Sequence, residues 1–320
     1  MTMPFRLLPV TARPTKIPRV SMTESQSIVD GYPFSPCSHR LPDGNTLSYL
    51  DVGQGPVVVM LHGNPSWSFF YRNLAALLKQ SYRVIVPDHL GCGLSDKPQD
   101  YAYCLENHIA NLDHLLGALQ IKKLNLVVHD WGGAIGVGYA VRHGEQINSL
   151  VIFNTAAFRS GRIPWRIRIC RTPLLGALLI RGCNAFAGAA IHMAVTKKMP
   201  DEIARGYLLP YDSWKNRIAT LRFVQDIPLS EKDPSWGAIT EIEQGLAWFQ
   251  QTPMLICWGG RDFCFNDHFY EEWRARFPGA QCHYFADAGH YLLEDAFDRI
   301  GPLVEKFLAE VAPSRQSSPL

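Results

Sequence analysis

The chain has 320 residues, and 47% of them are hydrophobic, which is enough for a sizeable core in one large domain or two small ones. Its formal net charge of +2 at pH 7 is too small to indicate nucleic-acid binding. The eight cysteines show no close pair with metal-site spacing and several lie in apolar strand-like runs, which predicts reduced thiols with buried structural roles in a cytoplasmic protein.

Both ends of the chain have compositions typical of disorder. Residues 1–30 are basic and interrupted by prolines, and their apolar patch is too short and broken for a signal peptide. Residues 312–320 are rich in serine and proline. We therefore expect a disordered extension at 1–30 and a disordered tail at 312–320.

Between these ends, strand patterns alternate with helix patterns. Continuous apolar runs predict buried strands, and apolar residues spaced three or four apart predict the helices that cover them. The predicted strands are 45–52, 56–61, 82–87, the run from 124 up to Asp130, 150–153, 254–258 and 281–285. The predicted helices are 67–78, 106–119, 134–143, 239–249, 267–277 and 298–311. This order predicts an α/β fold with a mostly parallel sheet and helices on both faces.

The alternation stops between residues 156 and 233, where no convincing buried strand occurs. Apolar segments at 173–180 and 185–195 predict short helices, and neither is long enough to span a bilayer. Because this segment lies between two strands of one sheet, it predicts a helical cap over the carboxyl ends of the strands, where such sheets bind ligands. We expect a core formed by 31–155 and 234–311, with the cap at 156–233.

The stretch 124–136 has the layout of a nucleophile elbow, a tight turn between a strand and a helix. The apolar run ends at Asp130, and Gly132 and Gly133 open the helical segment. Such a turn would lift the Asp130 side chain above the sheet and place N–H groups of the helix start beside it. A strand end followed by a helix-capping aspartate is the structural alternative. Val128 departs from the pattern, which often has glycine there.

Two later strands end in residues that complete a catalytic triad. Asp262 follows one of these strands, and His290 follows the next. Because the carboxyl ends of parallel strands meet at one edge of a sheet, we expect Asp130, Asp262 and His290 to come together there. Their order, nucleophile, acid and histidine, is that of an α/β-hydrolase triad.

Residues 32–311 resemble the haloalkane dehalogenase branch of the α/β-hydrolase fold, which uses an aspartate nucleophile. In that family two side chains hold the departing halide. The matching positions are Asn64, in a His-Gly-Asn-Pro motif, and Trp131, directly after Asp130. Both would present N–H donors to a leaving anion without adding positive charge. A turn-forming asparagine and a core aromatic are the structural alternatives.

Other families with an aspartate nucleophile match less well. Epoxide hydrolases need two cap tyrosines, for which Tyr207 and Tyr211 are present, but Asn64 stands where those enzymes typically carry an aromatic residue. Fluoroacetate dehalogenases carry an arginine after the nucleophile, and Trp131 replaces it here.

The cap resembles that of the β-lactone decarboxylases of bacterial long-chain olefin biosynthesis, which are similar to the third class of haloalkane dehalogenases. The resemblance lies in residues 208–217 (LLPYDSWKNR), 222–229 (RFVQDIPL) and 153–158 (FNTAAF). It implies a cis-β-lactone substrate with two long alkyl chains, and a cis-olefin and carbon dioxide as products. It also implies assembly with the β-lactone synthetase and ketoreductase of the same pathway. A hydrolytic haloalkane dehalogenase remains the alternative, since both reactions need the same nucleophile and anion-binding pair.

The cap also contains a run of arginines with no acidic residue before Asp201. These are Arg159, Arg162, Arg166, Arg168, Arg171 and Arg181. One interpretation is a solvated amphipathic face. The other is a docking surface for partner enzymes or for peripheral contact with an anionic membrane.

The remaining histidines give no indication of a metal site. We expect His62, His89, His129 and His268 to lie in loops or to pack in the core. No cluster has metal-ligand spacing, and no glycine-rich phosphate loop follows the first strands. The sequence therefore predicts neither a metal nor a nucleotide cofactor.

Overall fold

The computed structural model describes residues 31–311, which form one eight-stranded sheet in the order β1-β2-β4-β3-β5-β6-β7-β8. The strands are β1 (Cys37–Arg40), β2 (Thr46–Val52), β3 (Val57–Leu61), β4 (Arg83–Pro87), β5 (Leu124–Val128), β6 (Ile147–Phe153), β7 (Met254–Gly259) and β8 (Gln281–Phe285). Only the pairs β1–β2 and β2–β4 are antiparallel. The predicted α/β fold is confirmed; the disorder predicted at 1–30 and 312–320 lies outside the described residues.

Two strands differ from the sequence prediction. The edge strand β1 was not predicted, because its residues are mostly exposed and show no apolar run. Strand β6 begins at Ile147 rather than at residue 150. Its early part contains Ser149, which is buried and donates a hydrogen bond to the Asn125 side chain on β5 at 2.8 Å. A polar residue thus continues a buried strand because its hydroxyl is satisfied.

Helices cover both faces of the sheet. The core helices are α1 (Arg72–Leu78), α2 (Leu105–Ala118), α3 (Trp131–Arg142), α9 (Trp236–Gly245), α10 (Asp267–Arg276), α11 (Leu292–Asp295) and α12 (Phe297–Val311). Side chains of β3 alternate between the two faces, as strand geometry requires. Val59 and Leu61 join the cluster formed with α2, α3, α9 and α10. Val58 and Met60 join the cluster formed with α1 and α12. The sheet is therefore buried on both faces.

Between β6 and β7 the chain leaves the sheet and forms helices only. These are α4 (Trp165–Cys170), α5 (Leu175–Ala177) with a following π-helical turn (Leu178–Gly182), α6 (Ala187–Met193), α7 (Asp201–Leu208) and α8 (Ile218–Gln225). Within residues 31–311 no single helix is long and apolar enough to cross a membrane. The bent pair Leu175–Gly182 and Ala187–Met193 meets the length and composition criteria together, with 72° between its halves.

Two adjacent carboxylates fasten these cap helices to the core. Glu294 accepts two hydrogen bonds from Arg72, at 2.5 and 2.8 Å, and one from the Tyr207 hydroxyl of α7 at 2.5 Å. Asp295 accepts the backbone N–H of Thr196 at 2.9 Å. Because Arg72 and Asp295 are buried, these bonds form away from bulk water and hold the cap more firmly than exposed pairs would.

The cysteine prediction was correct in one respect and wrong in another. All eight cysteines are free thiols, as predicted. However, Cys37 and Cys183 are exposed, and only Cys92 and Cys257 are classed as buried. The expected buried role fails for Cys37 because it begins the edge strand, and for Cys183 because it follows the π-helical turn of the cap.

Candidate active site

Asp130 stands on the turn between β5 and α3. Its backbone has φ 52° and ψ −127°, a conformation that non-glycine residues rarely adopt and that costs roughly 1–3 kcal/mol. Two hydrogen bonds hold this conformation. The N–H of Asp130 donates to the Asn154 carbonyl at 3.0 Å, and the Thr155 hydroxyl donates to the Asp130 carbonyl. Its side chain makes no capping bond to α3, which argues against the alternative of a structural cap. The strained backbone of Asp130 thus belongs to a turn that directs its carboxylate toward the cavity.

Two glycines give this turn its space. A Cβ atom on Gly63 would lie 2.0 Å from Oδ1 of Asp130, so only glycine lets the next loop reach the carboxylate. A Cβ atom on Gly136 would lie 2.7 Å from Cγ1 of Val128. The valine at the first position of the elbow is therefore accommodated by a glycine one turn into α3, and the elbow keeps its geometry.

His290 and Asp262 lie beside Asp130. Nδ1 of His290 is 2.7 Å from Oδ2 of Asp262, and its Nε2 is 3.6 Å from Oδ2 of Asp130. Asp262 is itself oriented by the backbone N–H groups of Cys264 at 2.6 Å and Phe265 at 3.1 Å. The three residues predicted from separate strand ends are thus brought together, with the imidazole between two carboxylates.

Burial and neighbouring charges shift the pKa values of this group. Burial raises the pKa of Asp130, while the His290 charge and the N–H groups of Asn64 and Trp131 oppose that rise. For His290, burial acts to lower the pKa, but the charge and hydrogen bond of Asp262 and the charge of Asp130 outweigh it, so the pKa is raised. The mutual attraction of the two charges thus favours an imidazolium beside an ionised Asp130, while burial opposes both charges.

Asn64 and Trp131 complete the surroundings of the carboxylate. The N–H of Asn64 donates to Oδ1 of Asp130 at 2.6 Å, and the nearby backbone N–H of Trp131 acts to lower the pKa of this carboxylate. The side-chain amide of Asn64 donates to the Thr220 carbonyl of α8 at 3.2 Å. The Trp131 ring lies 5.1 Å from the ring of Phe223. All five residues predicted from the sequence therefore meet at one place.

A cavity of about 250 Å³ opens above these residues. Asn64, Asp130, Trp131 and His290 line its base. Its walls are mainly apolar and come from the cap and core, including Ala156, Phe158, Ile167, Phe186, Met193, Val224, Ile227, Ile239, Phe265 and Phe269. Such a cavity suits a neutral, hydrophobic molecule that presents one reactive polar group to Asp130.

The cap tyrosines considered for an epoxide hydrolase do not line this cavity. The Tyr207 hydroxyl bonds to Glu294, and the Tyr211 hydroxyl donates to the Ser66 carbonyl at 3.1 Å. Both tyrosines are buried and serve to hold the cap. The site therefore lacks the pair of phenol donors that epoxide opening would need.

Other histidines and acidic residues do not form a second centre. Within residues 31–311, no group of three or more His, Cys, Asp or Glu side chains could hold a metal ion. His62 and His89 are buried and bonded to each other's backbone, and His129 bonds to the His290 carbonyl at 2.9 Å. His268 is exposed on α10. The positions of His62, His89 and His129 agree with the loop and packing roles predicted for them. The prediction was wrong for His268, which lies on the exposed face of a helix because α10 begins at Asp267.

Several residues of the site were missed at the level of sequence. Cys264 lines the cavity, and its backbone N–H donates to Asp262. Its position two residues after Asp262 could have indicated from the sequence that it belongs to the site. Thr220 and Ala194 come from the cap: Thr220 bonds to Asn64, and Ala194 accepts the N–H of Tyr291, beside His290, at 2.7 Å. No local pattern indicates such contacts, because packing over long sequence separations creates them.

Comparisons with known proteins agree with this geometry. Residues 56–297 match the family model described as the alpha/beta hydrolase fold. The chain is 50% identical over 275 residues to the cis-3-alkyl-4-alkyloxetan-2-one decarboxylase of Shewanella oneidensis, covering 84% of this chain and 86% of the relative. It is 46% identical over 291 residues to the enzyme of the same name from Xanthomonas campestris, covering 87% and 97%.

The solved structures point to the same fold. The crystal structure of haloalkane dehalogenase DbeA from Bradyrhizobium elkani matches with a TM-score of 0.81 and 27% identity, covering 87% of this chain and 98% of that one. The resemblances predicted from the elbow and the cap are thus confirmed. The chain belongs to the α/β-hydrolase family and, within it, to the family of the cis-3-alkyl-4-alkyloxetan-2-one decarboxylases.

Proposed function

We propose that this chain is a carbon–carbon lyase that converts a cis-3,4-dialkyl-β-lactone with two long alkyl chains into a cis-olefin and carbon dioxide. Two relatives, at 50% and 46% identity, are named for decarboxylation of this ring type. The observation that carries the proposal is the apolar cavity that ends at Asp130 and that the neutral residues Asn64 and Trp131 also line. A neutral lipid ring would suit the cavity, and the side-chain N–H groups of Asn64 and Trp131 would suit its departing carboxylate.

In the proposed first step, a carboxylate oxygen of Asp130 attacks the ring carbon that bears the lactone oxygen. A new carbon–oxygen bond forms, the ring carbon–oxygen bond breaks, and its electrons remain on the departing carboxylate. The side-chain N–H groups of Asn64 and Trp131 would hold that carboxylate as it develops charge. Hydrogen bonds from two neutral N–H donors are stronger in an apolar cavity than in water, so they would stabilise the oxygen without a positive residue.

In the second step, carbon dioxide leaves. The electrons of the bond to the carboxylate carbon form the double bond and expel the Asp130 carboxylate from the neighbouring carbon. Inversion in the first step followed by anti elimination in the second keeps the alkyl groups cis. The two steps together consume neither water nor a proton, and they regenerate the Asp130 carboxylate.

Attack at the lactone carbonyl, which would give an anhydride with Asp130, is the competing route. The two adducts differ chemically, since neutral hydroxylamine cleaves an anhydride and leaves an alkyl ester intact. Rapid quenching followed by hydroxylamine and mass analysis of the Asp130 peptide therefore distinguishes them. We expect an adduct that resists hydroxylamine.

The decisive experiment offers the purified protein a cis-dialkyl-β-lactone and a long 1-bromoalkane in parallel. We expect cis-olefin from the lactone without comparable release of bromide, measured by gas chromatography and a halide assay. A haloalkane dehalogenase is the second candidate, because Asn64 and Trp131 match the halide-holding pair of those enzymes by sequence resemblance and the fold is shared with them. Bromide release without olefin would support that candidate and contradict the lyase.

A further prediction concerns the space beside Asp130. Gly63→Ala places a Cβ atom 2.0 Å from Oδ1 of Asp130, so the carboxylate must move away. Because displacement of a nucleophile by about 1 Å costs roughly a hundredfold in rate, we expect kcat for olefin formation to fall by about that factor.

The control for Gly63→Ala is Gly117→Ala. Gly117 lies in α2 with nothing within 4 Å of an added Cβ atom. Alanine there should leave activity unchanged and raise stability by up to about 1 kcal/mol, since glycine is a poor helix former. Unchanged activity of a folded Gly63→Ala variant would mean that the position of the Asp130 carboxylate does not limit the reaction.

The organisation of the protein in the cell forms part of the proposal. We propose that residues 156–233 act as a cap over a core of 31–155 and 234–311, supported by the cap residues that line the cavity. We also propose a cytoplasmic protein that assembles with the β-lactone synthetase and ketoreductase of its pathway, because the substrate is poorly soluble in water. Cell fractionation and sedimentation of the three proteins together test these two points.

A further inference from the structure

The cap exposes a cluster of large apolar side chains. Of the ten exposed large hydrophobic residues in the described chain, five lie between residues 165 and 178. These are Trp165, Ile169, Leu174, Leu175 and Leu178. Trp165 is 67% exposed and Leu174 is 87% exposed. We call this group and the arginines among and beside it, Arg162, Arg166 and Arg168, the docking surface.

The docking surface is the outer side of helices whose inner side is already packed. Ile167 and Cys170 of α4 and Ala177 of α5 contact a buried cluster that includes Leu221 and Val224 of α8. Helix α4 also packs against α5, so their outer residues form one continuous face. The exposed side chains thus have no place in the core, and a contiguous apolar face of this kind marks an interaction site.

The charge of the docking surface is uncompensated. Among the described residues, Arg162, Arg166 and Arg168 form no ion pair with a carboxylate within 4.0 Å. Two other arginines of the same basic run are paired, Arg159 with Glu243 and Arg171 with Asp233. The three unpaired guanidinium groups therefore lie in the same segment as exposed tryptophan and leucine side chains, and that of Arg166 lies 5.3 Å from the Trp165 ring centroid. Exposed apolar side chains together with unpaired basic charge match the interface of an anionic bilayer.

Leu174 supplies a second, independent observation. Its backbone has φ 60° and ψ −58°, a left-handed conformation that leucine rarely adopts. Strain of this kind persists only where the structure or a function requires it. The turn is closed by the N–H of Leu175, which donates to the Pro173 carbonyl at 2.6 Å, and it leaves the Leu174 side chain 87% exposed. Burial of that side chain among lipid chains would add an apolar contact that the described chain does not provide.

We propose that the docking surface binds anionic membranes and that the lipid substrate enters the cavity from the bilayer. Arg162 and Arg166 of the docking surface also line the cavity, as do Ile163 and Pro164 between them. In this proposal the mouth of the cavity lies at this shared wall. A lactone with two long alkyl chains partitions into a bilayer, and entry at this mouth keeps those chains out of water. The substrate part of this inference rests on the proposed function; the membrane part does not.

The test measures sedimentation of the purified full-length chain with vesicles of phosphatidylcholine alone or mixed with phosphatidylglycerol. We expect binding to the mixed vesicles that weakens as salt is added, because screening reduces attraction to charged lipid. Arg168→Glu should weaken binding by roughly tenfold or more, since each arginine near an anionic surface contributes about fivefold. The double variant Trp165→Ser/Leu174→Gly should weaken it at least as much. None of the three substituted residues, Arg168, Trp165 and Leu174, lines the cavity.

The matched control is Trp248→Ser. Trp248 is 69% exposed, as Trp165 is, but it lies in the helical turn Leu246–Phe249 next to α9 and outside the docking surface. Its replacement should leave vesicle binding unchanged. Leu174→Gly also controls for folding, because glycine accepts the left-handed conformation without strain and should not lower the melting temperature.

Activity assays separate the two proposals. The double variant should match the wild type on a short-chain, soluble β-lactone and be slower on a long-chain lactone embedded in mixed vesicles. Vesicle binding without olefin from any lactone would support docking and overturn the proposed function.

The docking proposal fails if the wild type stays in the supernatant with mixed vesicles at low salt, or if Trp248→Ser weakens binding as much as the double variant. It also fails if the docking-surface variants abolish co-sedimentation with the synthetase and ketoreductase but do not change vesicle binding.

Discussion

Asp130→Asn is expected to abolish olefin formation, with kcat falling at least about a thousandfold. An amide does not form the ester that the first step requires, while the N–H donors around it stay in place. Folding should change little: burial raises the pKa of Asp130, so a neutral side chain removes a cost of burial, and the asparagine oxygen can still accept the Asn64 N–H that Oδ1 accepts now. The lost attraction to His290 opposes that gain, so the melting temperature should stay close to that of the wild type.

The control for Asp130→Asn is a second buried aspartate outside the triad. Asp88 accepts backbone N–H groups from Ser68 at 2.7 Å and Leu94 at 2.9 Å, so asparagine would point its NH₂ group at a donor. Asp88→Asn should lower stability by about 1–3 kcal/mol and leave kcat much less affected. Turnover at the wild-type rate by Asp130→Asn, with its mass verified to exclude deamidation, would remove Asp130 from the mechanism.

His290→Gln is expected to slow lactone decarboxylation by about 10- to 100-fold at neutral pH, even though the reaction uses no water. The positive charge of His290 lowers the pKa of Asp130 against the effect of burial. Without that charge, a larger fraction of Asp130 is protonated at a given pH and less of it is nucleophilic. His290 thus acts through Asp130, because its positive charge keeps the Asp130 carboxylate ionised.

The pH profile distinguishes this role from a purely structural one. In the wild type, the pKa of Asp130 is raised, so the nucleophile is lost as pH falls through a value above that of an ordinary aspartate. The pKa of His290 is also raised, so its charge is lost only as pH rises above the usual histidine range. In the plot of kcat/KM against pH, His290→Gln should shift the acidic limb to higher pH and remove the alkaline limb.

The control for this prediction is His268→Gln, on the exposed face of α10. It should leave both limbs of the profile unchanged. Lactone decarboxylation by His290→Gln at the wild-type rate and with the wild-type profile would show that the histidine has no part in it.

Much of the fold could be predicted because hydrophobic periodicity is a local property. The buried strands from β3 to β7 are short apolar runs, and the core helices between them show one apolar face. Strand β1 could not be found this way, since its residues are exposed and backbone pairing with β2 alone defines it. Hydrophobic patterns identify strands and helices that bury side chains, and they miss strands that are held only by backbone hydrogen bonds to a neighbour.

The candidate site followed from the same logic. Asp130, Asp262 and His290 each follow a parallel strand, and parallel strands end at one edge, so their meeting could be foreseen. The bond from Asn64 to Thr220 could not, because it joins residues 156 positions apart through the placement of the cap. Nor does the arginine run itself distinguish Arg159, which meets Glu243, from the arginines left unpaired.

The bonds between the cap and the histidine segment have a consequence for how the enzyme opens. Tyr291 donates its N–H to Ala194 at the end of α6, and Asp295 bonds both to Thr196 of the cap and to the N–H of Gly289, at 2.8 Å. The cap segment that lines the cavity and the loop that carries His290 are therefore joined by backbone and carboxylate hydrogen bonds. A displacement of that cap segment would be transmitted to the imidazole, whose distance from Asp130 depends on the same bonds.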